Sequence, residues 1–101
     1  LHRMRPIAHL VPAALMELLR TTPMSQGKVG FAWRAAVGAA VDRATGVRLE
    51  GGVLVVETAS AEWAREITRS STMILARLQR FLGPEEVSEL KIRLKLTTKP
   101  G

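Results

Sequence analysis

The chain has 101 residues, 47% of them hydrophobic, which is enough for one domain with one core and too apolar for wholesale disorder. It contains no cysteine, so disulfides, thiol catalysis and cysteine-ligated zinc are excluded, and no apolar run approaches the roughly 18 residues needed to span a bilayer. Lysine and arginine exceed the acids by six, a balance that favours polyanionic partners.

The opening segment, LHRMRPIAHLVPAALMELL, sets basic residues before apolar ones, as a signal peptide does. Pro12 divides its apolar stretch, Glu17 and Arg20 make it amphipathic, and no clear small-residue cleavage site follows, so it is expected to belong to the mature protein. A single domain is expected over 1–101, ordered from about residue 7 to 96, with flexible ends at 1–6 and 97–101. Pro12 suits the first turn of a helix that carries Leu15, Leu18 and Leu19 and ends near Thr21-Thr22-Pro23.

A second helix is predicted from about Ser25, a suitable cap, to Ala44. Val29, Trp33, Val37, Ala40 and Val41 share one of its faces. Gly27, Gly30 and Gly38 weaken it: its start is expected to fray, or Gly38 to allow a close crossing with another element. The stretch GVRLEGGVLVVETAS then predicts strands at about 46–50 and 53–59, joined by a tight turn at Gly51-Gly52. Leu54, Val56 and Thr58 share one face of the second strand; Val53, Val55 and Glu57 share the other.

Ser60 caps a helix predicted from Ala61 to Leu82, with a candidate break near Ser70-Ser71 and a stop at Gly83-Pro84. The last element, VSELKIRLKL, alternates as a half-buried strand does. Leu90, Ile92, Leu94 and Leu96 point one way; Lys91, Arg93 and Lys95 point the other. Helix, helix, strand, strand, one long or two short helices, strand: this order predicts an α+β two-layer sandwich, three strands with helices on one face. The helical connection lets the last strand run parallel to the second.

Candidate functional residues fall on the last two elements. On a continuous helix at about 100° per residue, Trp63, Ile67, Ile74, Leu78 and Phe81 form an apolar arc, while Arg65, Arg69 and Arg80 lie nearly opposite, with Arg77 at the edge. Trp63 belongs to the core-facing arc, yet its place in the first turn leaves part of the ring near solvent, where an indole can anchor a partner. The arginines have a plainer role as a solvated face, with Glu62–Arg65 and Glu66–Arg69 as exposed pairs. Lys91, Arg93 and Lys95 stand about 7 Å apart in sequence order on one face. A phosphate backbone would neutralise their mutual repulsion; cations that keep a sheet edge from aggregating are the competing explanation.

Catalytic equipment is not evident. His2 and His9 lack a carboxylate cluster, so neither a metal nor any other cofactor is expected. No serine has a histidine base in an evident arrangement, and neither a Walker loop nor a dinucleotide fingerprint is present. Gly27-Lys28-Val29-Gly30 spells the GxxG of nucleotide-clamping loops. It precedes the second helix, however, and the place between the two later helices reads Arg69-Ser70-Ser71-Thr72, without glycine.

An ordered set of positions resembles the DciA family of bacterial proteins that act on the replicative helicase. It comprises Trp33 with Val37-Gly38, then Leu49, Gly52, Leu54 and Val56, then Ser60 with Trp63-Ala64, Glu66-Ile67, Leu75, Leu78, Leu82-Gly83, Val87 and Ile92. The resemblance covers roughly residues 7–96. It implies a KH-like αββααβ domain, here with an extra N-terminal helix and no working GxxG loop. It further implies a cytoplasmic, nucleoid-associated protein that binds the replicative helicase and DNA and assists helicase loading. Trp63 matches the family's Trp-Ala motif.

The expectation that follows is a non-catalytic adaptor. It would hold single- or double-stranded DNA through Lys91, Arg93, Lys95, Arg65, Arg69 and Arg80, and present Trp63 to a helicase. A protein-interaction module without nucleic-acid binding, and a KH-like RNA-binding domain, stand as alternatives.

Overall fold

The structure, a computed structural model, describes residues 12–95; the ends expected to be flexible, 1–6 and 97–101, lie outside them. Helix α1 (Ala13–Thr21) starts at Pro12 and ends in Thr22, whose hydroxyl donates to the Leu18 carbonyl at 2.6 Å. Helix α2 (Gln26–Val37) is capped by Ser25, whose hydroxyl accepts from the Lys28 amide at 3.1 Å. The start expected to fray is therefore held. The GKVG stretch lies within the first turns of α2, so it forms helix and no loop.

Gly38 interrupts the predicted long helix. Its backbone takes φ 93° and ψ 165°, and the chain resumes as α3 (Ala39–Arg43). That region is essentially closed to residues with a Cβ, so Gly38 serves as a break between two helices.

Strands β1 (Thr45–Glu50) and β2 (Val53–Thr58) pair antiparallel through Gly51 and Gly52, which both have positive φ, as a tight hairpin turn requires. Helix α4 (Ala61–Arg69) begins at Ser60, which accepts from the Trp63 amide at 3.1 Å. The break near Ser70 is present: α5 (Ser71–Leu82) is a separate helix ending at Gly83. Strand β3 (Glu89–Leu94) then pairs parallel with β2, giving the order β1-β2-β3.

The result is an α+β sandwich of the expected KH-like order, with an extra N-terminal helix and a three-stranded mixed sheet covered on one face. The inner face of β2 presents Leu54 and Val56 to Trp33, Ile67, Ile74, Leu78 and Phe81, all buried. Thr58 continues that face as a buried polar residue; its hydroxyl donates to the Ala44 carbonyl at 2.9 Å and accepts from the Ser60 amide at 3.2 Å. Trp33 is the largest buried side chain. Its Nε1 donates to Thr45 Oγ1 at 2.9 Å, and that hydroxyl donates on to the Val41 carbonyl at 2.8 Å. One indole thus ties α2, α3 and β1 together.

Candidate nucleic-acid and partner interface

Over residues 90–95 the alternation of the last strand is realised, and Leu96 lies outside the described residues. Leu90 and Ile92 are half-buried toward the helices, while Lys91, Arg93 and Lys95 are exposed on the sheet face that no helix covers. Leu94 departs from the expected pattern: it shares the inner side but is 47% exposed, because β3 is an edge strand and its last residues extend past the core.

Register fixes what surrounds these cations. Across the open face, Glu50 aligns with Val53 and Glu89, Arg48 with Val55 and Lys91, and Gly46 with Glu57 and Arg93. The face is therefore polarised. Carboxylates Glu50 and Glu89 lie at the hairpin end, and Arg93 and Lys95 at the other. Glu57 sits among the cations, with Arg48 Nη1 at 3.3 Å and Lys95 Nζ at 3.8 Å. Arg48 also pairs with Glu50. Hydrogen bonds to Glu50 first, and then to Glu57, raise the Arg48 pKa above its ordinary value. Lys91 and Arg93 have no ion-pair partner among the described residues.

Of the expected cationic row, then, two members are uncompensated and Lys95 is shared with a carboxylate. Sequence reasoning missed Glu57 as that partner, because the pairing depends on strand register. It also missed Arg43, which lines a shallow cleft with Lys95 and Glu57 at the cationic end of the sheet.

The arginine arc is not one surface. Arg65 and Arg69 stand on α4 and Arg80 on α5, all exposed, and the break at Ser70 separates the two axes. Arg77 is committed to packing: its Nη1 donates to the Ala36 carbonyl at 3.2 Å, tying α5 to α2. The exposed pair Arg69–Glu66 forms at 3.7 Å; among the described residues Glu62 and Arg65 make none. Arg65 and Arg69 do meet β3. Together with Ala64, Thr68, Ile92 and Leu94 they line a groove between α4 and the open edge of the sheet. Arg80 takes no part in it.

Trp63 is half-buried and packs against the core cluster. No strand carries an aromatic residue: Phe31 and Trp33 are on α2, Trp63 on α4 and Phe81 on α5.

No helix among the described residues is long and apolar enough to cross a membrane. A UPF0232 protein of Mycolicibacterium smegmatis is 36% identical over 70 residues, which are 68% of this chain and 36% of that protein. The chain thus spans little more than a third of the relative's length. The family described as Dna[CI] antecedent, DciA, matches residues 6–92, a range running from before α1 into β3 and taking in both tryptophans, the hairpin and the Ser60 cap. By that match, the chain belongs to the DciA family.

Proposed function

We propose that this domain is a non-catalytic adaptor in DNA replication that holds DNA on the open face of its sheet and engages the replicative helicase during loading. One observation carries the DNA part: Lys91 and Arg93 are exposed side by side on a face turned away from the helices, without ion-pair partners among the described residues. Family membership supports the replicative context. Lys95 and Arg43 extend the cationic end, and Arg65 and Arg69 add positive charge beyond the β3 edge.

Titration with labelled duplex at two salt concentrations tests this. Each phosphate neutralised contributes about −0.9 to the log–log salt slope. Lys91→Gln and Arg93→Gln are each expected to weaken binding across sequences and to reduce the slope by about one. Undetectable binding of the parent chain at low salt overturns the DNA reading. A protein-only interaction module would then stand, and the existing compensation of Lys95 and Arg48 by Glu57 favours it as the second reading. An RNA-binding role of the KH type has less support, since the segment between α4 and α5 lacks glycine and the strands lack stacking rings.

Trp63 is the anchor we assign to the helicase. Trp63→Ala is expected to reduce capture of the replicative helicase from the protein's own cells while leaving a folded domain, because Trp63 packs at the margin of the core and not within it. Loss of the cooperative unfolding transition in that variant would make Trp63 a core residue alone.

A further inference from the structure

The two edges of the sheet are finished differently. In β1 the odd-numbered residues turn their backbone groups outward, because Gly46, Arg48 and Glu50 face β2. The outward carbonyl of Val47 accepts from Gln26 Nε2 at 3.0 Å, so α2 closes part of that edge. In β3 the amides of Glu89 and Lys95 donate to Gly52 and Thr58 of the β2 strand and its turn. The odd-numbered residues of β3 therefore face β2, and Leu90, Ile92 and Leu94 direct their N–H and C=O groups to the open edge. Among the described residues, nothing bonds to them there.

The same three residues have their side chains on the helix side of the sheet, and Ile92 and Leu94 line the groove against α4. An extended segment pairing with this edge would therefore meet two chemistries in alternation. Side chains turned toward α4 would enter an apolar groove over Ala64, Ile92 and Leu94, rimmed by Arg65 and Arg69. Side chains turned the other way would lie beside Lys91 and Arg93. Both flanks of the edge carry cations, with Glu89 at the hairpin end of the open face and Glu66 paired to Arg69 on the groove side.

That charge selects the occupant. A second copy of β3 would set Lys91 and Arg93 against their own kind, which is how natural edges discourage self-pairing. The chain's own flanking sequences, 1–11 and 96–101, carry Arg3, Arg5 and Lys99 and no acid, so they are mismatched as well. We infer that the β3 edge and the α4 groove form a docking site for an extended protein segment that alternates apolar and acidic residues and joins the sheet as a fourth strand. Main-chain hydrogen bonds would supply affinity, and the groove and cations would supply specificity. The site shares Lys91, Arg93, Arg65 and Arg69 with the open-face reading but adds the main-chain edge of β3, so a failure read at the edge amides would leave DNA binding by those cations intact.

A ten-residue peptide alternating valine and glutamate, its valine–lysine counterpart and a single-stranded oligonucleotide would be titrated into the full chain, with amide hydrogen exchange read residue by residue. The expected result is slowed exchange at Leu90, Ile92 and Leu94 with the glutamate peptide, at least tenfold tighter than the lysine peptide. Leu94→Pro should weaken the peptide at least tenfold. It removes an outward N–H but no ladder bond, so the fold and the DNA titration should survive. Arg93→Glu provides a second variant, expected to invert the preference between the two peptides. The inference is overturned if the three amides are already protected before peptide is added, which would mean that the chain covers its own edge. It is equally overturned if both peptides bind alike, or if the oligonucleotide and not the peptide slows those amides.

Discussion

Trp33→Ala is expected to be the most damaging single change, costing about 3–5 kcal/mol in denaturant unfolding. That is a large part of the 5–15 kcal/mol by which domains are typically stable. The ring is 1% exposed and stands where α2, α3 and β1 meet. Truncation leaves a cavity under β1 and removes the donor to Thr45. Two companion variants separate these effects. Trp33→Phe keeps most of the volume and loses the hydrogen bond, and should cost less than the alanine variant. Thr45→Val keeps the ring but leaves its buried N–H unpaired, a penalty of about 1–3 kcal/mol. If Trp33→Ala unfolds with the parent's midpoint, the indole is not the keystone described.

Gly38→Ala is expected to destabilise by roughly 1–3 kcal/mol, because alanine must adopt φ near 93° with ψ near 165°. The sign is the informative part. In a continuous helix the same replacement would stabilise by up to about 1 kcal/mol. Gly30 supplies that contrast: it lies within α2, and a Cβ there would meet nothing within 4 Å. Gly30→Ala should therefore raise the unfolding midpoint while Gly38→Ala lowers it. Equal gains from both would mean that α2 and α3 are one helix in solution.

These two residues also mark where sequence reading reached and where it stopped. The hairpin was legible because Gly51-Gly52 sits between two β-rich runs, and the last strand because its aliphatic residues and cations alternate over 90–96. Ser25 and Ser60 were readable as caps from their positions ahead of apolar periodicity. Gly38 was not readable as a break: a glycine within a helical pattern is compatible with helix or with an interruption, and only the path of α3 against β1 decides. Trp63 stands out in the sequence because it begins a helix, whereas the depth of Trp33 depends on three elements converging.

The candidate surfaces follow the same logic. Which face Lys91 and Arg93 occupy came from local alternation. That Glu57 compensates Lys95, and that Arg65 and Arg69 meet Ile92 and Leu94, came from register and strand order, which no local pattern encodes. Projecting Arg80 onto the same arc as Arg65 assumed one axis through Ser70, and the separation of α4 from α5 removes that assumption.

Val55 is 5% exposed although it lies on the sheet face without helices, in line with Arg48 and Lys91 on either side. The aliphatic stems of those two neighbours are long enough to lie over it, and we expect them to supply its shelter. On that expectation Lys91 is roofing as well as charge. Clipping it to alanine would wet a valine while deleting a cation, and only a neutral replacement of similar length can tell the two losses apart.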